Sequence, residues 1–224
     1  MGKAGIFVSD IFQEVDEEVR REQLLKLWQR YQNLVFAGIA LILIGVASWR
    51  AYEWWQAKRA AETGTAFETA VMFAQTGKHA EAEAAFGRIA VEGTSGYRNL
   101  ARLRQAAELG QTDSKAAVSA YEKISGDNSV SPELRDLAGI RAGALLMEAD
   151  SLGDARKELE PFAADGRPYR HMARELLALV AWQSGDIPAA KQWFDMILTD
   201  ILTPPDIRNR VEMLAALVAA ETKG

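Results

Sequence analysis

From Tyr31 to Trp49 the chain carries no formal charge: the run reads YQNLVFAGIALILIGVASW. A helix of that length spans roughly 28 Å at about 1.5 Å of rise per residue, close to the ~30 Å hydrocarbon core of a bilayer. Four of the six Trp of the sequence (Trp28, Trp49, Trp54 and Trp55) cluster at its two ends, together with Tyr31 and Tyr52. Amphipathic rings favour headgroup depth, so both ends read as membrane–water boundaries. A core helix of a soluble domain would need apolar neighbours on every side, and the preceding segment is too polar to supply them. A cleaved leader is disfavoured because residues 1–30 precede the run and bulky aromatic residues follow it. The expectation is an uncleaved single-pass anchor, with the lipid bilayer as its first partner.

Flanking charge gives orientation only a small bias. Arg20, Arg21, Lys26 and Arg30 precede the span, and Arg50, Lys58 and Arg59 follow it. This favours a cytoplasmic N-terminus under the positive-inside rule. The absence of cysteine fits either side of a membrane. A net charge of −5 over 224 residues, with no basic cluster beyond the anchor, excludes a general nucleic-acid binder.

Residues 9–30, SDIFQEVDEEVRREQLLKLWQR, have the makings of a short amphipathic helix. Asp10 and Gln13 suggest a capping box at its start. Asp16–Arg20, Glu17–Arg21 and Glu22–Lys26 are acid-before-base pairs one turn apart, and Phe12, Val15 and Val19 form an apolar stripe. This segment reads either as a solvated helix leading into the membrane or as a docking surface for a cytoplasmic partner.

Beyond the anchor the chain is rich in Ala, Leu, Glu, Lys and Arg without strand-like alternation, so the expected fold is all-α. An internal period emerges from four segments: HAEAEAAFGRI, SKAAVSAYEKI, LGDARKELEPF and GDIPAAKQWFDMI. Each pairs an Ala with a large apolar residue one turn later: Ala82 with Phe86, Ala117 with Tyr121, Ala155 with Leu159, Ala190 with Phe194. The large residues recur at intervals of 35, 38 and 35 positions (86 to 121, 121 to 159, 159 to 194). Turn residues precede each segment: Thr76-Gly77-Lys78, Gly110-Gln111-Thr112-Asp113, Ser151-Leu152-Gly153 and Ser184-Gly185-Asp186. Sixteen residues before each large residue stand Ala70, Gln105, Gly143 and Ala178, three of them small.

This pattern resembles the tetratricopeptide repeat, a helix pair in which small residues admit a neighbour and a large residue fills the gap. Helix pairs are expected at 57–75 with 79–91, 96–109 with 113–125, 132–149 with 153–164, and 168–183 with 187–202. Pro132, Pro168 and Pro204-Pro205 are placed at helix starts. A last helix at 205–221 caps the open end, as a stacked array requires. The implied fold is an amphipathic N-terminal helix, one transmembrane helix, then a right-handed superhelix of about four pairs with a C-terminal cap.

Carrying the family's inward positions across gives a concave surface of Phe67 and Val71 in the first unit. Asn99, Arg102 and Leu109 follow in the second, Ile140, Ala144 and Met147 in the third, and Met172, Leu179 and Trp182 in the fourth. Only Asn99 and Arg102 could hold a carboxylate, so a multi-donor carboxylate clamp is not expected here. The surface is otherwise apolar, and its two Met would adapt to varied apolar partners. The other expectation is that neighbouring helices bury it.

As a whole, SDIFQEVDEEVRREQLLKLWQRY, the single span, the RAYEWWQ exit and the GKHAEAEAAFGRI and GDIPAAKQWFDMI units resemble the tetratricopeptide-like ancillary subunit of the bacterial Sec translocon. That resemblance implies a cytoplasmic arm (1–30), an inner-membrane helix with aromatic flanks (31–55) and a periplasmic repeat domain (56–224). It further implies three partners: Sec translocon subunits, a membrane-anchored periplasmic chaperone of the isomerase type, and unfolded exported polypeptides. The implied role is chaperone-like or adaptor; the alternative is a scaffold or regulator of an envelope complex that touches no client.

Nothing in the sequence points to catalysis. The two His, His79 and His171, are far apart, and no HExxH, GxSxG or phosphate-binding glycine loop occurs. No cofactor or metal is expected.

Overall fold

The computed structural model describes residues 5–221, with side chains described for Arg21 and for residues 25–220. Every element among them is helical: α1 (Gly5–Gln75), α2 (His79–Glu92), α3 (Ser95–Leu109), α4 (Ser114–Ser125), α5 (Pro132–Glu148), α6 (Leu152–Leu159) with a 3-10 turn (Glu160–Phe162), α7 (Arg170–Gln183), α8 (Ile187–Thr199) and α9 (Pro205–Glu221). The chain divides into two units, one up to Lys58 and one from Arg59 onward.

In the first unit α1 already contains Asp10, which is therefore an interior helical residue and not a cap. The charge pairs and apolar stripe expected between Phe12 and Lys26 lie outside the described side chains. Further along, α1 includes a window of mean hydropathy 2.0, long and apolar enough to cross a membrane. None of that window is buried inside the protein, which separates it from a soluble core helix. Leu41, Ile42, Leu43 and Ile44 are all at least 63% exposed, a condition that lipid but not water would favour.

The second unit is built from helices that pack on their sequence neighbours. Its apolar core is a chain of four clusters, each tying a helix pair to the next helix. The end of α1 (Ala70) meets α2 (Ala82, Phe86) and α3 (Ala101). Next, α3 (Ala106) meets α4 (Tyr121, Ile124) and α5 (Ala138, Ala142). Ile140 of α5, Ala155 and Leu159 of α6 and Leu177 of α7 form the third. Ala178 of α7, Ala190 and Phe194 of α8 and Val211 and Val218 of α9 form the fourth. Ala82, Phe86, Ala117, Tyr121, Ala155, Leu159, Ala190 and Phe194 are all buried. The last helix docks through Val211 and Val218, two turns apart and fully buried, and leaves Met213 and Leu217 exposed.

Glycine makes the third crossing close. A Cβ on Gly143 would lie 2.5 Å from Leu159 Cγ, and one on Gly139, a turn earlier, 2.2 Å from Phe162 Cζ. Both glycines therefore form a groove on α5 into which α6 and its 3-10 turn settle.

Three of the four turns within pairs are built alike. Each has one residue in the left-handed region: Gly77 (φ 74°), Asp150 (φ 58°) and Gly185 (φ 78°). The following N–H reaches back five residues, from Lys78 to Phe73 O (2.9 Å), Ser151 to Leu146 O (2.9 Å) and Asp186 to Ala181 O (2.8 Å). This Schellman closure satisfies carbonyls that the helix end would otherwise orphan. In the third pair the turn is thus Ala149–Ser151, earlier than the expected Ser151–Gly153, and Gly153 is already helical. The α3–α4 turn is different. It runs through Gly110–Asp113 with Gly110 right-handed (φ −63°), and Asp113 N–H closes on Leu109 O at 2.8 Å. Asp113 then caps α4 by accepting from Ala116 N–H.

Helix boundaries depart from expectation at three further points. Pro161 has no N–H to continue α6, so the chain tightens into the 3-10 turn instead of reaching residue 164. Pro168 lies in the turn before α7 and not in the helix. The C-terminus of α8 comes at Thr199, because side chains take over its last carbonyls: Thr203 Oγ1 donates to Ile197 O at 2.6 Å, and Arg208 donates to Leu198 O and Asp200 O.

Candidate functional site

The first helices of successive pairs, α1, α3 and α5, face a common cleft of about 510 Å³. Phe67 enters from α1, Leu100, Leu103, Arg104 and Ala107 from α3, and Leu134, Leu137 and Arg141 from α5, with Tyr121 of α4 at the base. Phe67 is fixed by edge-on packing against Phe86 (ring centroids 5.2 Å) and by Tyr97 (5.5 Å). Leu100 is 43% exposed, so the apolar wall is open to solvent. Burial pushes the Tyr121 phenol above its ordinary pKa, while the nearby Arg141 and Arg104 guanidinium groups pull the other way. The cleft therefore offers apolar walls, a buried phenol and two cations.

Of the concave positions expected from the repeat, Phe67 alone lines this cleft. On α3 the lining is displaced by one residue: Leu100 and Leu103 take the places assigned to Asn99 and Arg102. The displacement traces to the α3–α4 turn. Gln105, sixteen residues before Tyr121, is only half-buried, its amide nitrogen 3.1 Å from where a Cβ on Gly87 would be. Ala106, 1% exposed, is the small residue clustered with Tyr121. Arg102 instead donates to Asp127 Oδ2 at 2.7 Å. Ser129 and then Arg102 hold the Asp127 carboxyl down at about 2. Asn99 is half-buried outside the cleft lining.

The remaining expected positions are drawn into the core or against it. Ile140 is 1% exposed and belongs to the α5–α7 core, so it cannot meet a partner. Met147 and Met172 pack against that same cluster, Val71 against the first and Trp182 against the one that α9 closes. Leu109, Ala144 and Leu179 are half-buried. Met147, Met172 and Trp182 are thus partly buried, each with one side against the core. The expectation missed Leu100, Leu103, Arg104, Ala107, Leu134, Leu137 and Arg141; the recoverable signal was Ala106 beside the misfit Gln105.

Polar groups elsewhere serve the fold. Asp200 accepts from Arg170 Nε at 2.9 Å and lies 3.6 Å from Arg174. The Thr203 hydroxyl gives its one hydrogen to Ile197 O, so its 3.2 Å contact with His171 Nδ1 needs the imidazole to donate. His171 Nδ1 thus carries a proton, and the buried Nε2, without a hydrogen-bond partner, lies 3.7 Å from Asp200 Oδ2. Burial holds its pKa below the ordinary value, and Arg170 adds to this while Asp200 opposes it. No group of three or more His, Cys, Asp or Glu with metal-binding geometry occurs among the described residues.

A family model described as a tetratricopeptide repeat-like domain matches residues 26–213. No curated protein and no solved structure matches the chain.

Proposed function

Since the chain belongs to the tetratricopeptide repeat-like family, we propose that it is a membrane-anchored interaction protein ancillary to the Sec translocon. In this reading residues 31–55 cross the bacterial inner membrane, residues 1–30 are cytoplasmic and the repeats are periplasmic. The repeats hold or relay newly exported polypeptides, alongside translocon subunits and a membrane-anchored isomerase-type chaperone. The observation that carries the reading is in α1. One helix supplies both an unburied apolar window and Ala70, a buried residue of the first repeat cluster. Tethering raises the local concentration of a weak binder beside the exit it serves. The open cleft at Phe67 and Leu100 supports contact with other polypeptides.

A scaffold that touches no client is the second reading, favoured by the packing of Met147, Met172 and Trp182 against the core.

Crosslinking mass spectrometry on native membranes discriminates them. Links from the span region to translocon subunits, with exported chains or a chaperone on the repeats, are expected. One envelope complex without translocon or exported chains would overturn the proposal in favour of the scaffold.

A further inference from the structure

The two ends of the array differ. At the C-terminal end α9 covers the α7–α8 pair through Val211 and Val218. At the N-terminal end the outer face of the α1–α2 pair is a groove of about 450 Å³, and neither α3 nor any later helix lines it. Thr69 of the lining explains the opening. It precedes Ala70 by one position, as Ala142 precedes Gly143 and Leu177 precedes Ala178. Ala142 packs into the cluster of the preceding α3–α4 pair, and Leu177 into that of α5–α6. α1 belongs to the first pair, so Thr69 meets no such neighbour and is exposed. An end left uncovered is where a stacked array takes up a further partner.

The charges around this groove narrow the choice of partner. Ala85 and Ile89 form a nearly buried floor, flanked by Arg59 and Glu62 on α1 and by Arg88 and Glu92 on α2. Glu62, Arg88 and Glu92 are exposed and have no ion-pair partner among the described residues. A Cβ on Gly93 would be 3.2 Å from Thr63 Cγ2, which sets the two helices level there. Read in the direction of α1, one side runs cation then carboxylate (Arg59, Glu62). The antiparallel side runs carboxylate then cation (Glu92, Arg88). A two-fold rotation about an axis along the groove lays the α1 side of one chain on the α2 side of another, and every sign meets its opposite. Such self-complementarity is what an isologous dimer requires. Copies anchored in one bilayer, as proposed above, leave it through the same residues and are concentrated by confinement.

We propose that the groove between α1 and α2 is closed by the same groove of a second copy of this chain, with Arg59 of each facing Glu92 of the other and Glu62 facing Arg88. Ala66, Thr69 and Ala85 are small, and they let the two helix pairs approach closely over the apolar floor. The pairing is independent of what the repeats bind, and so goes beyond the interaction reading.

The test uses the full chain in proteoliposomes. The sequence has no Cys, so a Cys placed at the exposed Gln111 carries a donor or an acceptor dye. Energy transfer above the level of random proximity is expected with the groove unaltered. Glu62→Arg sets like charges against Arg88 and weakens association at least about tenfold, and Arg88→Glu does the same against Glu62. A mixture of donor-labelled Glu62→Arg and acceptor-labelled Arg88→Glu chains recovers the transfer, because both contacts between those two chains are again of opposite sign. Recovery also shows that both variants fold. Random-level transfer with the groove unaltered would overturn the proposal. Transfer kept in full by both single variants would overturn it as well, by assigning association to another surface. Association of the unaltered groove weakens between about 0.05 and 0.5 M salt. A salt-independent affinity would remove the charge pairing, and this reading decides the matter even if a variant fails to fold.

Discussion

Gly143 on α5 and Leu159 on α6 meet so closely that a methyl group on the glycine would lie 2.5 Å from Leu159 Cγ and 2.6 Å from Cδ2. Leu159 is fully buried, so its branch point has nowhere to retreat. The contact joins the small residue of a first helix to the large residue of the second, sixteen positions later, and it sets the separation of the pair.

Gly143→Ala therefore overpacks the crossing. Alanine gains ~1 kcal/mol of helix propensity, and the forced shift costs about 1–3 kcal/mol, so a net loss of up to about 2 kcal/mol is expected. Gly153→Ala, on α6 with nothing near its Cβ, should instead be neutral or stabilising. Denaturant midpoints of the two variants check the contrast.

Asp150 holds a left-handed backbone at the position where the first and fourth pairs have Gly77 and Gly185. Asp tolerates this region better than most residues but at a cost that glycine avoids. Asp150→Gly should stabilise by about 0.5–1 kcal/mol, and Gly185→Ala should destabilise by about 1 kcal/mol. Thermal unfolding of both variants gives opposite shifts.

The cap helix is tied to α7 by Arg210, whose guanidinium grips both oxygens of Glu175, the second at 2.6 Å. Glu175 is 6% exposed. Arg210→Ala leaves that carboxylate unpaired and should weaken α9 docking by about 1–3 kcal/mol, the half-exposed Arg moderating the loss. Adding Glu175→Met should restore part of it. Hydrogen exchange of the α9 amides reads the loosening directly.

His171 gives the fold a pH dependence. Its pKa is lowered in the folded chain, so between that value and ~6.5 the unfolded chain binds a proton that the native one refuses. This contribution is intact above ~6.5 and declines as pH falls, by at most about 1.4 kcal/mol per pH unit. His171→Asn, whose amide can still donate to Thr203, should flatten the difference in unfolding free energy between pH 7.5 and 5.5.

The small–large pairs were legible because three turns share one construction, which holds a sixteen-residue spacing from Ala70, Gly143 and Ala178 to Phe86, Leu159 and Phe194. Gln105 broke the pattern for a local reason: its pair closes through four residues without a left-handed one, and Ala106 takes over. Two inward positions on α3 move with it, which is why Asn99 and Arg102 stood where Leu100 and Leu103 are found. Ile140 was misplaced for another reason. The glycine groove on α5 draws α6 inward, and α7 then covers Ile140. Neither effect is written in spacing alone.

The contrast among the turns also ranks where the chain can accept extra length. One residue inserted after Gly77, Asp150 or Gly185 would rotate the following helix by about 100° and swing Phe86, Leu159 or Phe194 out of register. The Gly110–Asp113 linker has already departed from the common construction, and Gln111 and Thr112 are solvent-exposed. That loop is the natural port for a reporter or an affinity handle, and the joint at which lineages of such arrays would drift apart in length first.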